Sequence, residues 1–309
     1  MDGLPLEFEA ADFACSTFYT QSNEGDYMFG RNFDYGYSPS VIVHTNPGNG
    51  YESISMVNLT LITYDAGNLP DAYSDRYAML AAPYFPVDGM NEKGVAIGVL
   101  TVSDAVTNQD TNKVDITTTA AIRLVLDYAA TVDEAIALLK QYDMHSVLGG
   151  AYHFQISDAT GKSVIIEYID NELTLTEMEA SYQICTNFIV AQDTGSLAKS
   201  CDRYQTMQSV LDSSNGIISF QEGMDLLQRV TLGAQSTTKE DGGTQWSSLY
   251  NNSNLTAVIC LGMDYDNVYS YDVDESIGNS SLNLICYCII GIIGFIIVII
   301  FVRRNKHKA

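Results

Sequence analysis

The chain has 309 residues, with 38 Asp and Glu against 15 Lys and Arg, and carries a formal net charge of −23. So acidic a chain is repelled by nucleic acid, and we therefore exclude a nucleic-acid-binding role. Because the four histidines and six cysteines lack metal-ligand or disulfide-scaffold spacing, we expect no metal, no cofactor and no disulfide framework.

Strand-like segments dominate the chain, and many are joined by recognisable turns. Residues 14–19 and 27–33 are β-rich runs on either side of a polar turn, Ser22-Asn23-Glu24-Gly25-Asp26, which predicts an antiparallel hairpin. Residues 94–99 alternate small and apolar side chains, as a tightly packed strand does. A helix is predicted over residues 119–129 from its apolar periodicity.

The remainder of the chain mixes helices and strands. Thr131 and Glu134 have the spacing of a capping box, which opens a helix through Leu139. The other predicted helices are residues 199–211 and 219–229. The other predicted strands are residues 152–157, 163–168, 173–176, 244–251, 257–262 and 267–271. This mixture predicts an α+β fold with helices packed on sheet faces.

The C-terminal segment differs sharply from the rest. Residues 282–302 are almost wholly apolar and precede Arg303, Arg304, Lys306 and Lys308. At about 1.5 Å per residue such a helix spans roughly 30 Å, the thickness of a bilayer core. We predict a domain at residues 15–275, a juxtamembrane linker at 276–281, a transmembrane helix at 282–302 and a basic tail at 303–309. The positive-inside rule places the tail in the cytoplasm and the domain outside or in a lumen.

Residues 1–14 conflict with that topology, because they are acidic and lack the basic and apolar regions of a secretory signal. We interpret them as a propeptide or the remnant of a leader, with a signal sequence missing upstream. A cytosolic domain with an inverted tail anchor is the alternative.

Cys15 is the strongest candidate for chemistry. The predicted hairpin brings Arg31 and Asp34 near it, and a cation stabilises a thiolate while an acid orients a base. If residues 1–14 were removed, Cys15 would also carry an α-amine with an ordinary pKa of about 7.7–8. It could then serve as nucleophile and base together. The alternatives are a buried structural thiol and an ordinary surface ion pair between Arg31 and Asp34.

Seven short motifs occur in an order that resembles the choloylglycine hydrolase group, which comprises bile salt hydrolases and penicillin V acylases. They are Cys15-Ser16-Thr17-Phe18, Gly30-Arg31-Asn32-Phe33-Asp34, Asp88-Gly89-Met90-Asn91-Glu92-Lys93-Gly94, Ile156-Ser157-Asp158-Ala159-Thr160-Gly161-Lys162-Ser163, Thr186-Asn187, Asp202-Arg203-Tyr204 and Thr244-Gln245-Trp246-Ser247. The resemblance covers residues 15–271 and implies an autoprocessed N-terminal nucleophile hydrolase with a four-layer αββα sandwich.

The resemblance also implies roles for individual residues. Cys15 matches the nucleophile, Arg31 the cation that lowers the pKa of the thiol, and Asp34 the carboxylate that binds the α-amine. The departure at Ser16, where many relatives have threonine, is tolerable.

Three later residues match the rest of the machinery. Asn187 corresponds to the side-chain donor for the oxyanion, and Arg203 to a second arginine that supports the polar network. Thr101 falls at the other oxyanion position, where the family often has Asn or Tyr but uses the backbone N–H.

Together these features predict a membrane-anchored amidase that cleaves linear amides of the bile-salt, penicillin V or N-acyl amide type. Its partners would be a small-molecule amide and the membrane. The sequence does not decide whether the protein forms a homo-oligomer. Tyr77 and Tyr84, in the loop at residues 73–85, would either line an apolar acyl pocket or merely pack. The alternatives are an acyltransferase of the same fold and a catalytically inactive, membrane-anchored binding domain.

Overall fold

The structure, a computed structural model, describes residues 14–65, 67–70, 73–102, 107–146, 150–193, 195–233 and 242–273. The strands within these ranges are β1 (Ala14–Gln21), β2 (Tyr27–Tyr35), β3 (Ser40–Thr45), β4 (Ser53–Asn58), β5 (Pro86–Asn91), β6 (Ala96–Val102), β7 (Val114–Thr117), β8 (Tyr142–His145), β9 (Ala151–Ser157), β10 (Ser163–Ile169), β11 (Glu172–Glu177), β12 (Gln183–Cys185), β13 (Gly243–Asn251), β14 (Thr256–Leu261) and β15 (Tyr269–Asp272). The α-helices are α1 (Thr118–Tyr128), α2 (Val132–Leu139), α3 (Ser196–Ser200), α4 (Asp202–Ser213) and α5 (Phe220–Arg229), and 3-10 helices occupy Leu59–Ile62 and Tyr73–Tyr84.

Two antiparallel sheets form the centre of the described chain. Sheet I has the strand order β12-β1-β2-β13-β14-β15, and sheet II has the order β11-β10-β9-β6-β5-β4-β3. Strands β7 and β8 form a separate parallel pair. Helix α1 packs on β5 and β6 of sheet II, whereas α5 packs on β2 and β13 of sheet I. The layers therefore follow the order helix, sheet, sheet, helix, and the α+β prediction is confirmed.

Alternation along β2 explains why sheet I is covered on both sides. Because successive side chains of a strand point to opposite faces, Gly30 and Asn32 share the face that α5 covers. The Asn32 Nδ2 donates to the Leu227 carbonyl at 2.8 Å, and Phe18 fills the space beside Gly30, where a Cβ would lie 2.4 Å from its ring. Arg31 instead points between the sheets, where it lies against Gly98 of sheet II.

The helix starts follow their capping residues. Ser219 and Glu222 form a complete capping box at α5, each side chain accepting the other residue's backbone N–H. At α2 the box is only half formed: the Thr131 hydroxyl accepts the Glu134 N–H at 3.2 Å, but the Glu134 carboxylate accepts from the Ala130 N–H. Such a cap contributes about 1 kcal/mol to helix stability.

Two boundaries predicted from the sequence are wrong. The helix expected over residues 199–211 is broken at Cys201, whose extended backbone (φ −100°, ψ 104°) separates α3 from α4. Gly94 lies in the turn before β6 rather than in the strand, with φ at +74° and space too tight for a Cβ. Only glycine adopts that conformation without strain.

Two predicted segments fall largely outside the described residues. Residues 1–13 precede Ala14, the first residue of β1, and the predicted span at residues 282–302 follows the last described residue. Of the helices that the structure describes, none combines the length and apolar character that crossing a membrane requires.

Candidate active site

The Cys15 thiol lies between the two sheets, at the start of β1. Cys15 pairs with Phe33 of β2 and is 1% exposed. The fully buried Arg31 donates from Nη2 to Sγ at 3.6 Å and from Nη1 to the Val87 carbonyl at 3.2 Å. The cation that the sequence assigned to the thiol is therefore in contact with it.

The charge partner of Arg31 is Asp88, not Asp34. Asp88 Oδ2 lies 3.0 Å from Arg31 Nε, and both side chains are fully buried. Trp246 and Tyr250 donate to the same carboxylate at 3.0 and 2.5 Å. The alternative of a surface ion pair between Arg31 and Asp34 is wrong, because residues three apart on a strand point to opposite faces.

Asp34 instead faces the helix side of sheet I. Its Oδ1 accepts from the Thr244 hydroxyl at 2.5 Å, and its Oδ2 lies 3.7 Å from Arg203 Nη1. A β-bulge between Thr244 and Trp246 makes this possible, since the extra residue leaves Thr244 opposite Asp34 and turns Trp246 toward Asp88. Burial raises the pKa of Asp34 to about 6, against the lowering effects of Thr244, Arg203 and Arg31.

Asn187 and Arg203 hold the backbone of Cys15. The Cys15 N–H donates to Asn187 Oδ1 at 2.7 Å, and Arg203 Nη2 donates to the same oxygen at 3.0 Å. Arg203 Nη1 donates to the Cys15 carbonyl and, at 2.8 Å, to the Ser16 hydroxyl. Asn187 Nδ2 donates to the carbonyl and hydroxyl of Thr101 at 2.9 and 3.0 Å.

The orientation of the Asn187 amide follows from these partners. Arg203 and the Cys15 N–H are donors only and must face an oxygen, whereas the Thr101 carbonyl is an acceptor and must face the NH₂ group. All six residues selected from the sequence, namely Cys15, Arg31, Asp34, Thr101, Asn187 and Arg203, therefore belong to one connected site.

The protonation of Cys15 depends on its burial. Desolvation raises the pKa of the thiol to about 11, although Arg31 and Arg203 act to lower it. At neutral pH the residue is therefore a thiol, and its attack on a substrate requires a base.

Two spaces adjoin the site. The first, beside the thiol, measures only about 10 Å³, and apolar residues dominate its lining: Phe33, Leu61, Val87 and Val99, with Asn58, Thr101 and Tyr152. That is room for about one water molecule. The second is an open cleft of about 410 Å³ beside Ala14 and Asp34, lined also by Leu232 and Gly243. Acyl binding next to the thiol therefore requires its apolar lining to move.

Several site residues were not identified from the sequence. Asp88 and Thr244 lie within motifs that were noted but were given no role, and Tyr152 lines the thiol cavity because it pairs with Thr101 across β6 and β9. Tyr77 and Tyr84 are 71% and 68% exposed and do not line the thiol cavity, so they do not pack in the core, and their place in an acyl pocket stays a prediction. Among the described residues no group of His, Cys, Asp and Glu is arranged to hold a metal ion.

Known proteins resemble this chain in sequence. A sequence model of the linear amide C-N hydrolases, choloylglycine hydrolase family, matches residues 15–189. The chain is 31% identical over 141 residues to a penicillin V acylase of Pectobacterium atrosepticum, a match covering 40% of this chain and only 37% of that protein.

Solved structures show the same fold. A variant of the conjugated bile acid hydrolase from Clostridium perfringens superposes with a TM-score of 0.61 at 16% identity, covering 88% of this chain and all of that one. The penicillin V acylase from Agrobacterium tumefaciens superposes with a TM-score of 0.60 at 18% identity, covering 84% and 86%. With the family match spanning more than half of its length, the chain belongs to the choloylglycine hydrolase family of linear amide C-N hydrolases.

Proposed function

We propose that the protein hydrolyses linear amide C–N bonds, with Cys15 as the nucleophile once residues 1–14 have been removed. The observation that carries this proposal is the convergence of contacts on one residue. Arg31 contacts the thiol of Cys15, while Asn187 and Arg203 hold its backbone N–H and carbonyl. A structural cysteine needs no such set of partners.

Removal of residues 1–14 would supply the base that the thiol lacks. The new α-amine of Cys15 would have an ordinary pKa of about 7.7–8, so it takes up a proton readily at neutral pH. Asn187 Oδ1, which already accepts the N–H at 2.7 Å, and the nearby Asp34 would fix its orientation. We interpret the helix, sheet, sheet, helix order as the αββα sandwich of N-terminal nucleophile hydrolases.

The proposed reaction begins with attack of the Cys15 sulfur on the substrate carbonyl carbon, while the α-amine takes the thiol proton. The tetrahedral oxyanion would be held by the Thr101 N–H and by Asn187 Nδ2, donors of the kind that stabilise such intermediates. For this, Asn187 Nδ2 would exchange its hydrogen bond to the Thr101 hydroxyl for one to the oxyanion. The leaving amine would take its proton from the Cys15 α-ammonium, which leaves a thioester. Water then hydrolyses the thioester and regenerates the thiol.

The apolar lining of the thiol cavity supports an apolar acyl group, as in phenoxyacetyl amides, conjugated bile acids or long-chain N-acyl amines. Hydrolysis assays with one amide of each class test the proposal, with Cys15→Ala as the control. We expect release of free amine from at least one class by the wild type and none by the variant. Equal turnover by Cys15→Ala would refute the assignment of the nucleophile.

We also propose that residues 282–302 anchor this enzyme in a membrane, with the domain on the outer or lumenal side. The support is the apolar composition of the segment and the basic tail that follows it.

A further inference from the structure

Three buried side chains behind the site form a connected group that the proposed reaction does not use. They are Glu167 on β10, His153 on β9 and Cys185 on β12, which are 3%, 0% and 0% exposed. His153 Nδ1 lies 3.1 Å from Glu167 Oε1, and His153 Nε2 lies 3.5 Å from Cys185 Sγ.

The partners of Glu167 settle how the group is protonated. Burial acts to raise the pKa of Glu167, but the hydrogen bond and electrostatic attraction of His153, with the hydrogen bonds from Ala191 and Val190, outweigh it and hold that pKa below its ordinary value. An ionised carboxylate only accepts hydrogen bonds, so His153 Nδ1 carries a proton and donates it.

This group has the connectivity of a Cys-His-acid triad, yet it is not a second nucleophilic site. Cys185 has no exposed surface and, unlike Cys15, lines neither of the two spaces that adjoin the site. Burial raises the pKa of its thiol well above the ordinary value, and the described residues leave no space beside the thiol for a substrate carbonyl. The burial of Cys185 therefore favours a structural role for the group.

Glu167, His153 and Cys185 make contacts with the backbone or side chains on both sides of Asn187. The Glu167 carboxylate accepts the backbone N–H groups of Val190 and Ala191, each at 2.8 Å, just after Asn187. The contact between His153 and Cys185 fixes the chain two residues before it. Residues 186–193 form neither helix nor strand, so sheet ladder bonds do not hold them in place.

We propose that Glu167, with His153, is a positioning residue that sets the place of Asn187 in the site. The inference rests on the proposed function, because it matters to the reaction only if Asn187 stabilises the oxyanion. A buried carboxylate suits the task, since it satisfies two adjacent N–H groups that would otherwise be left without acceptors.

Glu167→Gln tests this inference, because it replaces one acceptor oxygen with an NH₂ group that faces a backbone N–H. We expect kcat to fall by about tenfold with KM changed less than about twofold, since small displacements of an oxyanion donor slow the chemical step more than they weaken binding. Thermal unfolding of the full chain would show that the variant is folded.

Asp143→Asn is the matched control. Asp143 is a buried carboxylate that also accepts two loop N–H groups, those of Thr111 and Lys113, and neither partner belongs to the site. We expect Asp143→Asn to lower the melting temperature while leaving kcat unchanged. An equal fall in kcat in both variants would mean that general destabilisation is responsible and would overturn the inference.

A double-mutant cycle with Asn187→Ala gives the sharpest outcome. If Glu167 acts through Asn187, adding Glu167→Gln to Asn187→Ala lowers kcat no further. Losses that multiply, or an unchanged kcat in Glu167→Gln alone, would overturn the positioning role. Full kcat in Asn187→Ala would instead overturn the proposed role of Asn187.

A second variant keeps the test decisive if Glu167→Gln does not fold. His153→Asn keeps a donor near the Nδ1 position and removes the contact with Cys185. We expect a smaller fall in kcat, about threefold, that again disappears in the Asn187→Ala background. A folded His153→Asn variant with unchanged kcat would overturn the involvement of His153.

Discussion

The ionised carboxylate of Asp34 should lower the free energy of unfolding at neutral pH, and Asp34→Asn should therefore raise it. Burial raises the pKa of this carboxyl from 3.8 to about 6 in the folded protein. Between pH 4 and 6 the folded state therefore holds a proton that the unfolded state has released. The stability associated with the neutral carboxyl is fully present below pH 4 and is lost as the pH rises through 6.

The size of the effect follows from the pKa shift. A shift of about two pKa units corresponds to about 3 kcal/mol at pH 7, at 1.36 kcal/mol per unit. Asparagine resembles the neutral acid and keeps an acceptor oxygen for the Thr244 hydroxyl. At about 2–4 °C per kcal/mol for a domain of this size, Asp34→Asn should melt roughly 6–12 °C higher at pH 7.

Thermal denaturation of wild type and Asp34→Asn, each still carrying residues 1–14 so that no α-ammonium of Cys15 faces Asp34, measures the difference between pH 3.5 and 8. We expect the two melting temperatures to converge below pH 4 and to separate through pH 6. Asp143→Asn is the control of opposite sign. Burial acts to raise the pKa of Asp143, but hydrogen bonds from Thr111 and Lys113 outweigh it and lower that pKa, so the ionised form stabilises the fold. An Asp34→Asn variant no more stable than wild type at pH 7, or equally stabilised at pH 4, would mean that the pKa of Asp34 is not raised by burial.

Three further predictions concern other parts of the molecule. Arg203→Lys keeps the positive charge but loses the two guanidinium N–H groups that donate to Asn187 and to the Cys15 carbonyl, so kcat should fall about 10- to 100-fold in steady-state assays. The control, Arg229→Lys at an exposed position, should leave kcat unchanged. Burial raises the pKa of Asp88 as well, but Asp88→Asn leaves the fully buried Arg31, 3.0 Å away, without its counter-charge and should cost about 3–5 kcal/mol in urea unfolding. A cost below about 1 kcal/mol would contradict the pairing. The full chain should stay with membranes through an alkaline carbonate wash, whereas a chain ending at residue 275 should be released; retention of both would exclude residues 282–302 as the anchor.

The sequence predicted elements whose signals are local. Ser219 and Glu222 mark the start of α5, and the polar turn at residues 22–26 marks the hairpin of β1 and β2. Strands β3, β4 and β5 were missed, because segments of six residues, fully buried in β4 and β5 and partly buried in β3, carry no clear periodicity. The break at Cys201 was missed because no Gly or Pro marks it.

The site could be predicted only in part, for a similar reason. Motif order brought Cys15, Arg31 and Asn187 together, but the partnership of Arg31 with Asp88 depends on how two sheets face each other. Likewise, the bulge at Gln245 decides that Thr244 meets Asp34. Such contacts between distant segments have no signature in a single sequence.

The proposed mechanism requires Cys15 to be the first residue of the mature chain and to carry the acyl group. Intact mass measurement of the active protein, quenched with acid during turnover, tests both parts at once, and fragment masses locate the adduct. We predict a chain that begins at Cys15 and gains the mass of the acyl group on that residue. A fully active chain that keeps residues 1–14, or an adduct on Cys185, would contradict the account.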